Sequence, residues 1–170
     1  MAGNSRHEGA GDLPGGHGVN LRRLADNDLP LIEEHLLSLD MPSCNSRFHC
    51  GFGDAAVAAY VRDLDPSRDV LFGAVDPGTG RIVGLADARP AYGPKTVDLA
   101  TSVLPSHRKR GVAHALVMQA AGVASKPRWT QRQLRCDSSN AAPAVIPRQL
   151  GVPWDDCDHV PRRLPHRWQP

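Results

Sequence analysis

One stretch, Arg108-Lys109-Arg110-Gly111-Val112-Ala113, constrains this chain more than any other. It lies between a run with strand character, Thr96 to Leu104 closed by Pro105, and an apolar run with helical character, Val112 to Ala124. The first turn of such a helix has unpaired backbone N–H groups, and its dipole adds partial positive charge there. A phosphate or pyrophosphate suits that end. Gly111 lacks a Cβ and lets the backbone come close, and Ala113 keeps the next contact small. Arg108, Lys109 and Arg110 add positive charge, and arginine pairs with phosphate in a bidentate way. A solvated basic loop that happens to start a helix is the alternative. The strand-to-helix setting favours the phosphate reading.

The rest of the chain supplies a sheet for that corner to sit on. Val19 to Leu24 reads as a first strand. Asp26 or Asp28 then offers an N-cap, with Pro30 in the first helical turn. Leu29, Ile32, Leu36 and Leu39 follow at helical spacing, with Glu33 and Glu34 off the stripe. Met41 to Gly53 is rich in turn formers and reads as a loop. Asp54 caps a second helix over Ala55 to Leu64, whose alanines favour helix. Val70 to Val75 and Arg81 to Ala88 are strands about the turn Asp76-Pro77-Gly78-Thr79-Gly80. Arg89 to Pro94 reads as a turn before the strand Thr96 to Leu104. After the apolar helix, Gln133 to Cys136 reads as a short strand, and Asn140 to Leu150 as a helix disturbed by Pro143 and Pro147. Hairpin-linked strands with helices between them define an α+β, or mixed α/β, class.

Composition narrows the function classes. At 170 residues the chain suits one domain, and 41% hydrophobic with 22% charged residues is a globular balance. A formal net charge of +2 singles out no partner. No apolar run approaches the roughly 20 residues of a membrane span. Residues 1–18 carry no apolar signal-like stretch and read as a flexible leader. Cys44, Cys50, Cys136 and Cys157 form no Cys-x-x-Cys pair, which suits free thiols in a cytoplasmic protein rather than a disulfide framework or a zinc site. After Lys126 the balance shifts. From Lys126 onward there are eight Lys/Arg against four Asp/Glu, with all three tryptophans and seven of the fifteen prolines. That charge is a weak footprint for nucleic acid.

The corner also resembles a known family. Val97 to Pro105 followed by His107 to Leu116 is similar to the central motif of the GNAT superfamily, the general N-acetyltransferases. The family pattern Gln/Arg-x-x-Gly-x-Gly/Ala is matched by Arg108, Gly111 and Ala113. Asn140-Ala141-Ala142 resembles the family's Asn-x-Ala segment, and Leu150-Gly151-Val152 its closing Leu-Gly-Phe. Leu39-Asp40 and Arg47-Phe48 follow the Leu-Asp and Arg-Phe rhythm of a bacterial subgroup. The resemblance spans about residues 19–152, which makes 153–170 a divergent tail, expected to be poorly ordered.

The resemblance implies an acetyltransferase-like fold, a central twisted mixed sheet splayed at its fourth strand and flanked by helices. It implies acetyl-CoA as cosubstrate, its pantetheine on the backbone of Ser102, Val103 and Leu104. Its pyrophosphate would sit on the amides of Lys109, Arg110, Gly111, Val112, Ala113 and His114, with Asn140 also on the cofactor side. An amine, on a small molecule or a protein lysine, would attack the thioester directly, so no cysteine nucleophile and no metal are needed. Asp98 matches an acidic position on the family's fourth strand and would orient or deprotonate the amine; pairing with arginine or facing solvent is its bland alternative. His107 and His114 read as loop-side histidines.

One departure stands out. The family often places a tyrosine four residues before the closing glycine, to protonate the leaving thiolate. Here that residue is Pro147, which has no proton to give and breaks a helix. A non-catalytic acyl-CoA-binding or regulatory domain with a degraded acceptor site is therefore the alternative to an active N-acetyltransferase.

Overall fold

The computed structural model describes residues 18–48, 53–90, 96–124 and 131–134. The expected leader, the helix over Asn140 to Leu150 and the tail lie outside them, as do Asn140 and Pro147.

Five strands form one sheet in chain order: β1 (Asn20–Arg23), β2 (Val70–Val75), β3 (Ile82–Pro90), β4 (Thr96–Val103) and β5 (Gln131–Leu134). The first four are antiparallel neighbours, and β5 runs parallel to β4. The β2–β3 hairpin closes as expected: Asp76 N–H donates to Arg81 O at 3.0 Å and Gly80 N–H to Asp76 O at 2.8 Å. The parallel step from β4 to β5 needs a crossover, and α4 (Val112–Ala124) provides it.

The helices cover both faces. On one, α4 packs Val112, Leu116, Val117, Ala120 and Ala121 against Phe72, Ala74, Ala86 and Val103. Gly84 makes that closeness possible. A Cβ there would lie 2.9 Å from Leu116 Cδ1 and 3.0 Å from Val112 Cγ1. On the other face lie α1 (Leu29–Leu37), α2 (Met41–Phe48) and α3 (Asp54–Arg62). Ile32, Leu36, Cys44, Phe48, Val57 and Val61 close over Leu71 and Leu85 there.

Several boundaries differ from the sequence reading. Met41 to Phe48 is helical, although its Pro, Ser and Asn content reads as a loop. The local reason is Asp40, whose Oδ1 accepts the Ser43 N–H at 3.2 Å, capping the helix with Pro42 inside its first turn. The tertiary reason is burial of Cys44 and Phe48, four residues apart on one face. Gly53, not Asp54, is the N-cap of α3. Asp28 precedes α1, but its carboxylate turns back to Ala25 N–H (3.0 Å) and to Arg22 rather than capping α1. Arg89 and Pro90 extend β3, paired with Asp98 and Val97, instead of forming a turn. β5 begins two residues earlier than Gln133, because Gln131 to Leu134 is the segment in register with Thr96 to Leu99.

Candidate functional site

The β4–α4 corner is built as a donor-rich turn. After β4, Pro105 to His107 make one turn of 3₁₀ helix. Lys109 and Gly111 are left-handed, with φ of 59° and 76°, on either side of Arg110. Alternation of this kind turns successive N–H groups toward one side and makes an anion-binding concavity. Ala115 is the first residue to reach back, its N–H on Gly111 O at 3.0 Å. Among the described residues, no acceptor meets the N–H groups of Lys109 to His114. The side chains of Lys109 and Arg110 are exposed and make no ion pair among the described residues.

Beside this turn, β4 is half open. β5 pairs with Thr96 to Leu99, and among the described residues no strand pairs with Ala100 to Val103 on that side. Leu104 N–H donates to Val83 O at 2.9 Å. With the alternation of an antiparallel ladder, Ser102 turns its backbone groups to β3, while Thr101 and Val103 turn theirs to the open side. Of the three residues expected along the pantetheine, Val103 thus faces the opening. Both backbone groups of Leu104 are spent, since its carbonyl accepts His107 N–H at 2.9 Å.

Arg108 does something the sequence did not announce. Its guanidinium reaches α2 instead of joining the Lys109–Arg110 turn. Nη1 and Nη2 meet the two Asp40 oxygens at 2.9 and 2.6 Å, Nη2 also reaches Ser43 Oγ at 2.6 Å, and Nε donates to Val103 O at 3.1 Å. The Arg108 contact, with Ser43 beside it, holds the Asp40 carboxyl well below the usual carboxylate range.

A buried polar cluster lies where α2 and α3 meet the sheet. Arg47 comes from α2 and Asp87 from β3; their side chains are 2% and 4% exposed and bonded through Nη2 and Oδ1. Tyr60 OH donates to the other Asp87 oxygen at 2.7 Å. Burial, with the Asp87 charge behind it, pushes the Tyr60 hydroxyl up, so it stays protonated. Arg89 stacks over the Tyr60 ring at 5.3 Å and pairs with Asp63 at 2.8 Å and Asp69 at 3.3 Å. From Arg47 the network continues to β4. Nη1 donates to Ser102 Oγ at 3.4 Å, and Ser102 Oγ lies 3.0 Å from His35 Nε2. His35 Nδ1 lies 3.0 Å from Ile82 O, which can only accept. The neutral ring therefore carries its proton on Nδ1, and Ser102 donates to Nε2. Burial first, then the Arg47 charge, push His35 down to about 4.

Ser102 thus serves this internal network through its side chain. Asp98 sits in β4, in register with Arg89 on one side and Gln133 on the other. His107 Nδ1 is 2.9 Å from Ser106 Oγ, and His114 is half-buried in the first turn of α4. The loop residues and the end of β4 lie next to one another. The Arg47–Asp87–Tyr60 cluster and His35 went unread, although two signals marked them. Asp87 is a lone carboxylate inside the apolar run Ile82 to Ala88, and His35 lies among the apolar positions Ile32 and Leu36.

A half-open parallel pair thus lies beside a donor-rich strand-to-helix turn. The sequence model of the GNAT acetyltransferase family matches residues 35–146. The chain belongs to that family, whose class of chemistry is acetyl transfer. Among solved structures, the GNAT domain of an S. lividans protein named PAT superposes with a TM-score of 0.61 at 19% identity, covering 78% of this chain and 80% of that one. A phosphinothricin acetyltransferase from Sinorhizobium meliloti, solved with acetyl-CoA, gives 0.58 at 18% identity over 79% and 74%. An aminoglycoside acetyltransferase from an uncultured soil metagenomic sample, solved with sisomicin, gives 0.57 at 16% identity over 87% and 97%. At these identities the likeness establishes the fold. No curated protein matches the chain at the sequence level. No helix among the described residues is long and apolar enough to cross a membrane.

Proposed function

We propose that this protein is an N-acetyltransferase that moves an acetyl group from acetyl-CoA to an amine by direct attack on the thioester. The observation that carries the reading is the β4–α4 corner. There, among the described residues, the N–H groups of Lys109 to His114 meet no acceptor, and the Thr101 backbone and the Val103 N–H face the open edge beside them, the Val103 carbonyl being taken by Arg108 Nε. The first set suits a pyrophosphate, with Lys109 and Arg110 adding charge. The second suits the amide-bearing pantetheine arm, extended like a strand. An N–H at the opening, such as that of Val103, would polarise the thioester carbonyl as negative charge develops on its oxygen. Asp98 on the same strand is our candidate to orient the amine or take its proton, and Asn140 is a further cofactor-side candidate. The departing thiolate takes its proton from solvent, because Pro147 stands where the family often has tyrosine.

Calorimetric titration with acetyl-CoA tests the binding step. A folded sample that gives no signal at millimolar ligand would overturn the proposal. Release of free CoA in the presence of a panel of small amines, aminoglycosides and lysine peptides tests the transfer step. Pro147 favours a second reading, a coenzyme-binding domain without turnover, and tight binding with no CoA release on any amine would select it.

A further inference from the structure

Arg108 stands in the coenzyme loop by sequence but belongs to α2 by contact. Four of its five N–H groups are engaged, on Asp40, Ser43 and Val103 O. A guanidinium so saturated has little left for a phosphate. Its partners lie on three different parts of the molecule: the cap residue of α2, the first turn of α2, and the open edge of β4. At the far end of α2, Arg47 ties the same helix to Asp87 on β3 and Ser102 on β4. The helix is therefore held to the sheet by an arginine at each end, and one of these arginines is part of the coenzyme corner.

We propose that Asp40 and Ser43 are positioning residues for the coenzyme loop. They hold Arg108 as a strut between α2 and β4, so that phosphate is met by the backbone N–H groups of Lys109 to His114 and by Lys109 and Arg110, not by Arg108. This rests on the acetyl-CoA reading above. One consequence is reciprocal: a coenzyme that fixes the loop also fixes α2, and loosening α2 weakens coenzyme binding. The opposite arrangement would have Asp40 merely store Arg108 until a phosphate displaces it.

The two arrangements differ in the sign of one effect. Asp40→Asn keeps an oxygen to cap α2 but removes the charge that holds Arg108. The strut predicts that this variant binds acetyl-CoA about fivefold more weakly, as befits a half-exposed bidentate pair. Storage predicts tighter binding, because the variant frees a cation beside the phosphates. Tighter or unchanged binding by calorimetry overturns the strut. Arg108→Lys keeps the charge without the planar fork, and the strut predicts that it too binds acetyl-CoA more weakly than wild type; full affinity with lysine also overturns it. Hydrogen exchange supplies a second readout. Acetyl-CoA should slow exchange of the Met41 to Phe48 amides in the wild type and leave them unprotected in Asp40→Asn; equal protection in both overturns the coupling. If Asp40→Asn does not unfold cooperatively, Ser43→Ala replaces it, with a smaller loss of affinity in the same direction. A wild-type protein that ignores acetyl-CoA would defeat the coenzyme reading and leave the strut to be judged without ligand. Asp40→Asn must then speed exchange in both α2 and the Lys109 to His114 segment, and an unchanged loop sinks it.

Discussion

The Arg47 guanidinium and the Asp87 carboxylate face each other almost out of water, joining α2 to the centre of the sheet. Removing one partner leaves the other as an uncompensated buried charge. Asp87→Ala should cost about 3 kcal/mol or more, measured by urea denaturation. Arg47→Met combined with Asp87→Leu removes both charges and should recover a large part of that loss. A double variant no better than Asp87→Ala would show that the pair contributes something other than mutual neutralisation.

His35 makes stability depend on pH. Its folded value is about 4, against an ordinary 6.5, so the unfolded chain binds the proton more readily. Stability from this group is fully present above pH 6.5 and is lost as pH falls toward 4, by up to about 3 kcal/mol. Below that window the ring is protonated in both states and adds no further slope. His35→Asn should be less stable than wild type at pH 7 and lose less between pH 7 and pH 5. Parallel loss in the two proteins, followed by urea midpoints, would assign the slope elsewhere.

Gly84 sets how closely α4 approaches the sheet. Gly84→Val would push side-chain atoms into Leu116 and Val112, both fully buried, and should destabilise by about 1–3 kcal/mol. Because Val112 opens α4, the displaced helix also carries the Lys109 to His114 turn with it, and on the acetyl-CoA proposal affinity for that ligand should fall. Val112→Ala in the same chain should return part of the stability, read from the thermal midpoint.

Lys109 is held left-handed at φ 59°, a conformation that costs a residue with a side chain about 1 kcal/mol. Lys109→Gly removes that strain while making the unfolded chain freer, so thermal stability should change little. Acetyl-CoA binding should weaken and become less sensitive to salt, since one exposed cation beside the phosphates is gone. An unchanged salt dependence would place Lys109 outside the phosphate field.

How much of this could be read in advance follows from how local each signal is. The bounds of α4 follow from a largely apolar run after Gly111, and the β2–β3 hairpin follows from its Asp-Pro-Gly turn. Both are decided by neighbours in sequence. α2 is decided by neighbours in space: Pro42, Ser43 and Asn45 argue against a helix until Asp40 caps it and Arg108 and Asp87 hold its two ends. The same holds for the site. Gly111 and Ala113 announce a cradle, because the requirement for small residues is local. The pairing of Arg108 spans 68 residues to Asp40, and no spacing rule distinguishes it from a phosphate-binding arginine.

Among the described residues β4 has no second neighbour along Ala100 to Val103, and that has a consequence for the protein in solution. A strand edge left open in this way welcomes any extended chain, including a strand of another molecule. Proteins commonly blunt such edges with a charged side chain. Arg108, bonded through Nε to the Val103 carbonyl, places a cation at that edge. The residue that ties α2 to the loop thereby guards the opening against self-association, so a protein that has lost it is expected to aggregate first along β4.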